Sequence, residues 1–179
     1  QKFFRGELNI LLATSAFGMG INQSNIRTII HYQLPQTLED YVQQIGRAGR
    51  DLQFSRCIAF VHPDDFSQMR RKIERSYEVD DEEETELHQN IKEIANAFRW
   101  NNAQTSAFIK KQRERKLKQI GQIEEFANTT LCKEQYLAHF FGEKRKASCG
   151  KCSSCRHLDL FLMDITSKWN EEENEKKSK

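Results

Sequence analysis

The chain has 179 residues, 37% of them hydrophobic and 30% charged, with a formal net charge of +2. That size holds one domain or two small ones, with a modest core beneath a large solvated surface. The charge balance is too even to argue for a nucleic-acid partner by itself, and no apolar run reaches the ~20 residues that cross a bilayer. With no membrane segment and no signal peptide read, a cytoplasmic location is expected.

The chain opens at Gln1 rather than Met, close to an apolar run, and so reads as part of something longer. Three short apolar runs lie in the first third: Asn9–Thr14 (NILLAT), Ile26–Leu34 (IRTIIHYQL) and Arg56–His62 (RCIAFVH). The first and third are nearly continuously apolar, as parallel strands buried on both faces are. Between the last two, Leu38, Tyr41, Val42 and Ile45 recur at helical spacing, with Thr37 as N-cap and Asp40 completing a capping-box-like start. Strand, connection, strand, helix, strand spells an α/β sheet. A further helix is expected from Pro63 through FSQMRRKIERS.

Composition changes near Tyr77. The acidic run EVDDEEETE reads as a solvated linker or helix entry, and DEEE at Asp81–Glu84 only mimics a metal-binding acidic box because no apolar strand precedes it. Leu87, Ile91, Ile94 and Phe98 form one helical stripe, ending near Trp100-Asn101-Asn102. A second helix is expected from about Thr105 to Phe126, and a third in KEQYLAHFFGE. The terminal NEEENEKKSK has no apolar residue and reads as disordered.

Two clusters carry chemistry. At about 100° per residue, Gln43, Arg47 and Arg50 fall on the helix side opposite the apolar stripe, with Gly46 and Gly49 beside the arginines and Gly49 placed to end the helix. Two guanidinium forks so presented suit phosphate; the plain alternative is a helix end whose arginines answer its dipole. Four of the five cysteines, Cys132, Cys149, Cys152 and Cys155, lie late, the last three at C-x₂-C-x₂-C spacing with Gly150 allowing a tight turn. Four thiolates suit a closed, structural Zn²⁺ site. An iron–sulfur cluster is the rival and disulfides come third. His157 is a spare candidate ligand, His139 reads as packing or surface, and Cys57 as a core strand residue. KKQRERKLK (Lys110–Lys118) sets six positive residues against one Glu, either a solvated face or a phosphate-backbone contact through Lys110, Lys111, Arg113 and Arg115, without interleaved aromatics.

ATSAFGMGIN (Ala13–Asn22) and YVQQIGRAGRD (Tyr41–Asp51) together resemble motifs V and VI of superfamily-2 helicases, in the wording of the RecQ family. CGKCSSC, with FFGE before it, resembles that family's zinc-binding region. The resemblance covers about Phe3–Glu74 and Gln112–Arg156, while Tyr77–Lys111 looks like a helical insertion. It implies the C-terminal part of a second RecA-like lobe at residues 1–68, incomplete at its N-terminal side, then a helical Cys₄ zinc-binding domain at 69–157 with its insertion at about 77–111. A short helix and charged tail would follow at 158–179.

The resemblance further implies Arg50 as arginine finger, Arg47 as a second phosphate or interlobe contact, and Gln43 as the motif VI glutamine. Gly20 and Asn22 would lie near the nucleotide, and Thr14 and Ser15 near a bound DNA strand. The implied whole is a monomeric ATP-dependent DNA helicase of repair and recombination, nucleoid-associated if bacterial. It would unwind 3′-to-5′, bind single-stranded DNA and duplex junctions, and hold ATP and Mg²⁺ mainly through a first lobe. No G-x-x-x-x-G-K-[ST] loop occurs in this chain, so inactivity is expected of it alone. Gln44, where many members have Glu, and Leu52, where Gly often follows, depart from the pattern. An RNA helicase lobe of the same superfamily and a non-enzymatic, zinc-stabilised nucleic-acid-binding module are the alternatives.

Overall fold

The computed structural model describes residues 2–3, 5–14, 23–78 and 86–157. β1 (Thr28–His31) and β2 (Arg56–Ala59) pair in parallel, Thr28 opposite Arg56 and His31 opposite Ala59. Backbone bonds from Arg56 N–H to Arg27 O and from Phe60 N–H to His31 O, both 2.9 Å, extend the ladder at its two ends. α1 (Leu38–Ile45) forms the crossover between them. Thr37 caps it as expected: its Oγ1 accepts the Asp40 N–H (3.0 Å) and donates to the Asp40 carboxylate (2.8 Å). Such a cap is worth ~1 kcal/mol.

α2 (Pro63–Tyr77) begins at a full capping box, in which His62 accepts the Asp64 N–H and the Asp65 carboxylate accepts the His62 N–H. It buries Phe66, Met69 and Ile73, one face of a helix, and touches α3 (Glu86–Ala97). α4 (Asn102–Asn128) follows, burying Ile120, Ile123 and Phe126.

The α3–α4 connection is closed at both ends. Arg99 takes a left-handed conformation (φ 52°), while Trp100 N–H bonds Ala95 O (2.8 Å) and Arg99 N–H bonds Asn96 O (3.1 Å). This is the Schellman arrangement, built without the usual glycine. Asn101 and Gln104 then exchange backbone N–H and side-chain oxygen, both at 2.9 Å, to start α4. Beyond it come α5 (Lys133–Phe140) and the short α6 (Ser153–Arg156). The chain divides within α4 into two compact units, residues 1–123 and 124–179.

Three expectations need correction. Residues 9–14 form no strand; Ile10 and Leu12 stand exposed, because nothing among the described residues pairs with this run. β2 is not buried on both faces, and its Cys57 is exposed rather than core. A parallel strand is covered only when helices lie on both sides of the sheet, and two strands do not make that layer. The α3 stripe holds only in part: Ile91 is buried, but Phe98 is 70% exposed. Residues 15–22, 79–85 and 158–179, where the glycine loop, DEEE and the charged tail fall, lie outside the described residues.

Candidate metal centre and arginine-bearing turn

The helix that was to carry both arginines ends before either of them. Ile45 is the last residue of α1 and Gly46 its C-cap; the N–H groups of Arg47 and Ala48 then reach back only three residues, to Gln44 O (3.2 Å) and Ile45 O (3.1 Å). Helical spacing past Ile45 therefore does not set the direction of Arg47 or Arg50. A tied-down turn does. Gly49 N–H donates to Ile26 O (2.9 Å), just before β1, and Leu52 N–H returns to Gly49 O (2.9 Å). Gly49 has φ +65°, and a Cβ there would lie 2.6 Å from Ser55 Oγ, so this position requires glycine.

An ion pair absent from the sequence expectations braces the same turn. Arg27 donates from its two terminal guanidinium nitrogens, Nη1 and Nη2, to the two oxygens of the Asp51 carboxylate. That bond, ahead of the other contributions, holds the Asp51 carboxyl down at about 2. Between the two anchors Arg50 is exposed, its Nε 3.4 Å from Gly46 O; Arg47 is half-buried and Gln43 exposed. Gln44 has an intramolecular role: its Oε1 accepts from His31 Nε2 (2.9 Å), with Tyr41 packed at 5.3 Å from the His31 ring. Burial lowers the His31 pKa, and the bond to Gln44 only partly offsets it. Of the motif V residues, Thr14 is exposed in an irregular segment, and Ser15, Gly20 and Asn22 lie outside the described residues.

The four late cysteines come together as their spacing requires. The Sγ atoms of Cys132, Cys149, Cys152 and Cys155 all lie within 4.8 Å of one another. A tetrahedron of ~2.3 Å metal–sulfur bonds has edges of ~3.8 Å, so closing on an ion asks for shifts of about 1 Å at most. Cys132 caps α5, Cys152 caps α6 and Cys155 lies within α6. Gly150 (φ +67°) turns the chain between Cys149 and Cys152.

Backbone N–H groups already point at the sulfurs: Cys149 to Cys132 (3.3 Å), Cys152 to Cys149 (3.3 Å) and Lys133 to Cys152 (3.4 Å). Burial resists ionisation of Cys132, but the N–H groups of Cys149 and Gln135, together with the Cys149 and Cys155 thiols, outweigh it and leave its thiol at about 6. Cys155, which donates toward its neighbours, is pushed to about 11. Cys152, which also accepts from the Lys133 N–H, is shifted down like Cys132, against the resistance of burial. His157 is not part of the group.

Two supports were not legible beforehand. Lys133 Nζ donates to Phe126 O (2.9 Å), Ala127 O (2.8 Å) and Thr129 O (2.9 Å), capping the end of α4 beside the cluster. Glu134 bonds both Arg145 and Lys151, and so fastens the loop that carries Cys149 to α5. The basic segment is helical throughout. Lys111 and Arg115 share an exposed row with Lys118, at i, i+4 and i+7; Lys110 sits on the flank, and Arg113 is half-buried on the other side.

Comparison with known proteins agrees with both clusters. Residues 1–51 match the family model described as helicase conserved C-terminal domain, and residues 63–156 the one described as RecQ zinc-binding, a stretch that includes 77–111. The ATP-dependent DNA helicase RecQ of Bacillus subtilis is 34% identical over 155 residues, 87% of this chain and 21% of that protein. Its Haemophilus influenzae namesake is 32% identical, over 87% of this chain and 20% of that protein. A putative ATP-dependent RNA helicase of Acanthamoeba polyphaga mimivirus is 31% identical over 94% of this chain and 25% of that protein. The chain thus spans about a fifth to a quarter of the length of these relatives. With a turn of two arginines matching one family segment and a four-cysteine cluster matching the other, the chain belongs to the RecQ family and carries its helicase C-terminal and zinc-binding regions.

Proposed function

We propose that this chain serves an ATP-dependent DNA helicase that unwinds 3′-to-5′ in repair and recombination, acting as a monomer. The observation that carries the reading is the pinned turn 46–52, which holds Arg50 exposed between two anchors, in a chain of the RecQ family. Arg50 acts there as the arginine finger on the γ-phosphate of ATP, with Mg²⁺ and most of the nucleotide held by residues outside this chain. Arg47 and Gln43 support the phosphate contact; Gly20 and Asn22 meet the nucleotide, and Thr14 and Ser15 the DNA strand. Cys132, Cys149, Cys152 and Cys155 hold Zn²⁺, which supplies a cross-link between α5, α6 and the loop between them and leaves no open position for catalysis.

The basic row of α4 adds phosphate contacts to the DNA path. Alone, the 179-residue chain hydrolyses no ATP, since it has no phosphate loop. The test is unwinding by the full-length protein of duplexes with a 3′ or a 5′ single-stranded tail. ATP-dependent opening of the 3′-tailed substrate is expected, and no DNA-stimulated hydrolysis on any substrate contradicts the reading. The viral relative gives the RNA alternative a specific footing, and an RNA tail in the same assay decides it.

A further inference from the structure

The α3–α4 hairpin sets three aromatic rings at its tip, a grouping that the sequence pattern of either helix alone conceals. Phe98 stacks on Trp100 with ring centroids 5.8 Å apart and planes 28° from parallel. Trp100 in turn packs against Phe108 of α4 at 5.0 Å. Trp100 and Phe108 are half-buried, whereas Phe98 is 70% exposed. The outermost ring is therefore braced from behind and open in front. The turn is tied on both sides, by the Schellman bonds to Ala95 and Asn96 before it and the reciprocal Asn101–Gln104 cap after it.

A row of cations leads away from this tip. Phe108, Lys111, Arg115 and Lys118 follow at spacings of three, four and three residues, within about 80° of one another around α4. Lys111, Arg115 and Lys118 are exposed, and Glu114 is the single acid on the flank. From Phe108 to Lys118 the row runs about 15 Å, the span of roughly four phosphates at duplex spacing and fewer on a stretched single strand. A cationic track continuing from an exposed aromatic ring calls for a partner that is anionic along its length and offers flat faces at regular intervals. An unpaired nucleic-acid strand accounts for both, since bases stack on aromatic faces while phosphates follow the charges.

We propose that the hairpin tip is a base-stacking platform for single-stranded DNA, with Phe98 as the stacking ring, Trp100 and Phe108 as its support, and Lys111, Arg115 and Lys118 as phosphate contacts. The site deepens the helicase reading and rests on its choice of DNA as partner. It assigns α3 and the hairpin tip a task separate from hydrolysis.

The test is equilibrium binding without ATP, by fluorescence anisotropy, of the full-length protein to oligo-dT and to an oligonucleotide of equal length with abasic sites. Phe98→Ala is expected to weaken oligo-dT binding roughly five- to hundredfold, the range of one lost base–aromatic stack, and to shrink the preference over the abasic strand by the same factor. The salt dependence should stay unchanged in this variant. Phe98→Tyr, which keeps a ring, should bind as wild type. Charge reversal at Lys111, Arg115 and Lys118 should flatten the slope of log affinity against log salt by about 2. Because ATP is absent, these results stand apart from whether Arg50 is the finger. Wild-type affinity and an undiminished preference over the abasic strand in Phe98→Ala, with melting unchanged, would overturn the platform and return the ring to a protein contact.

Discussion

Lys133→Met isolates the lysine that ties the end of α4 to the cysteine cluster. The three ammonium protons of Lys133 have three acceptors at 2.8–2.9 Å, the carbonyls of Phe126, Ala127 and Thr129. These are carbonyls that the end of a helix leaves without an internal partner. A hydrogen bond to a charged group contributes about 1.5–3 kcal/mol, and a cation at a helix C-terminus a further 0.3–1 kcal/mol. The three bonds are not additive, because Thr129 O also accepts from Ser154 Oγ (3.1 Å) and water reaches the half-buried site. Methionine keeps the aliphatic stem against Phe126 and loses only the charge and donors, so the expected cost is about 2–4 kcal/mol.

The assay is urea unfolding of the full-length protein, followed by zinc release to a colorimetric chelator. With a slope near 2 kcal/mol per molar urea, the release midpoint should fall by about 1–2 M. The backbone N–H of residue 133 still reaches Cys152 Sγ, so zinc content before denaturation should stay near one per chain. Lys144→Met, at an exposed position, serves as control and should move the midpoint little. A Lys133→Met midpoint no lower than that control would refute the capping role.

Three further outcomes are expected. Cys152→Ser should abolish stoichiometric zinc by elemental analysis and lower the melting temperature, whereas Cys57→Ser, on exposed β2, should leave the metal in place. Leu52 is 95% exposed and left-handed (φ 62°), so Leu52→Gly should relieve strain and raise stability by up to ~1 kcal/mol in chemical denaturation. Because burial lowers the folded-state pKa of His31, the unfolded chain binds its proton first as pH falls below about 6.5. Stability should decline through that window, with a shallower decline in His31→Phe when unfolding midpoints are compared at pH 7.5 and 5.5.

What could be read from the chain was what depends on near neighbours. The Thr37 cap, the start of α2 at Pro63, the long α4 and the cysteine spacing are set within a few residues, and each is found in place. The arginine turn was misdrawn because its geometry comes from afar. Gly49 gives its N–H to Ile26, and Asp51 pairs with Arg27, 24 residues away, so the chain leaves the helix at Gly46 instead of continuing. The strand expected at 9–14 failed for the reverse reason: an apolar run becomes a strand only where a partner exists. The aromatic tip escaped notice because Arg99 supplies the left-handed residue that glycine usually marks, which hid how sharply Phe98 and Trp100 turn toward Phe108.

The most direct measurement is steady-state ATP hydrolysis by the full-length protein with Arg50→Ala, in the presence of single-stranded DNA. Arg50 is exposed on a turn held by Gly49 and Asp51, so its removal should leave melting and zinc content unchanged. If it stabilises charge developing on the γ-phosphate, the loss falls on the transition state rather than on bound ATP. The expected result is a kcat lower by ~10²-fold or more, about 3 kcal/mol in barrier, with KM little changed and Arg50→Lys rescuing poorly. A folded, zinc-loaded Arg50→Ala protein with near-normal kcat would contradict the central claim.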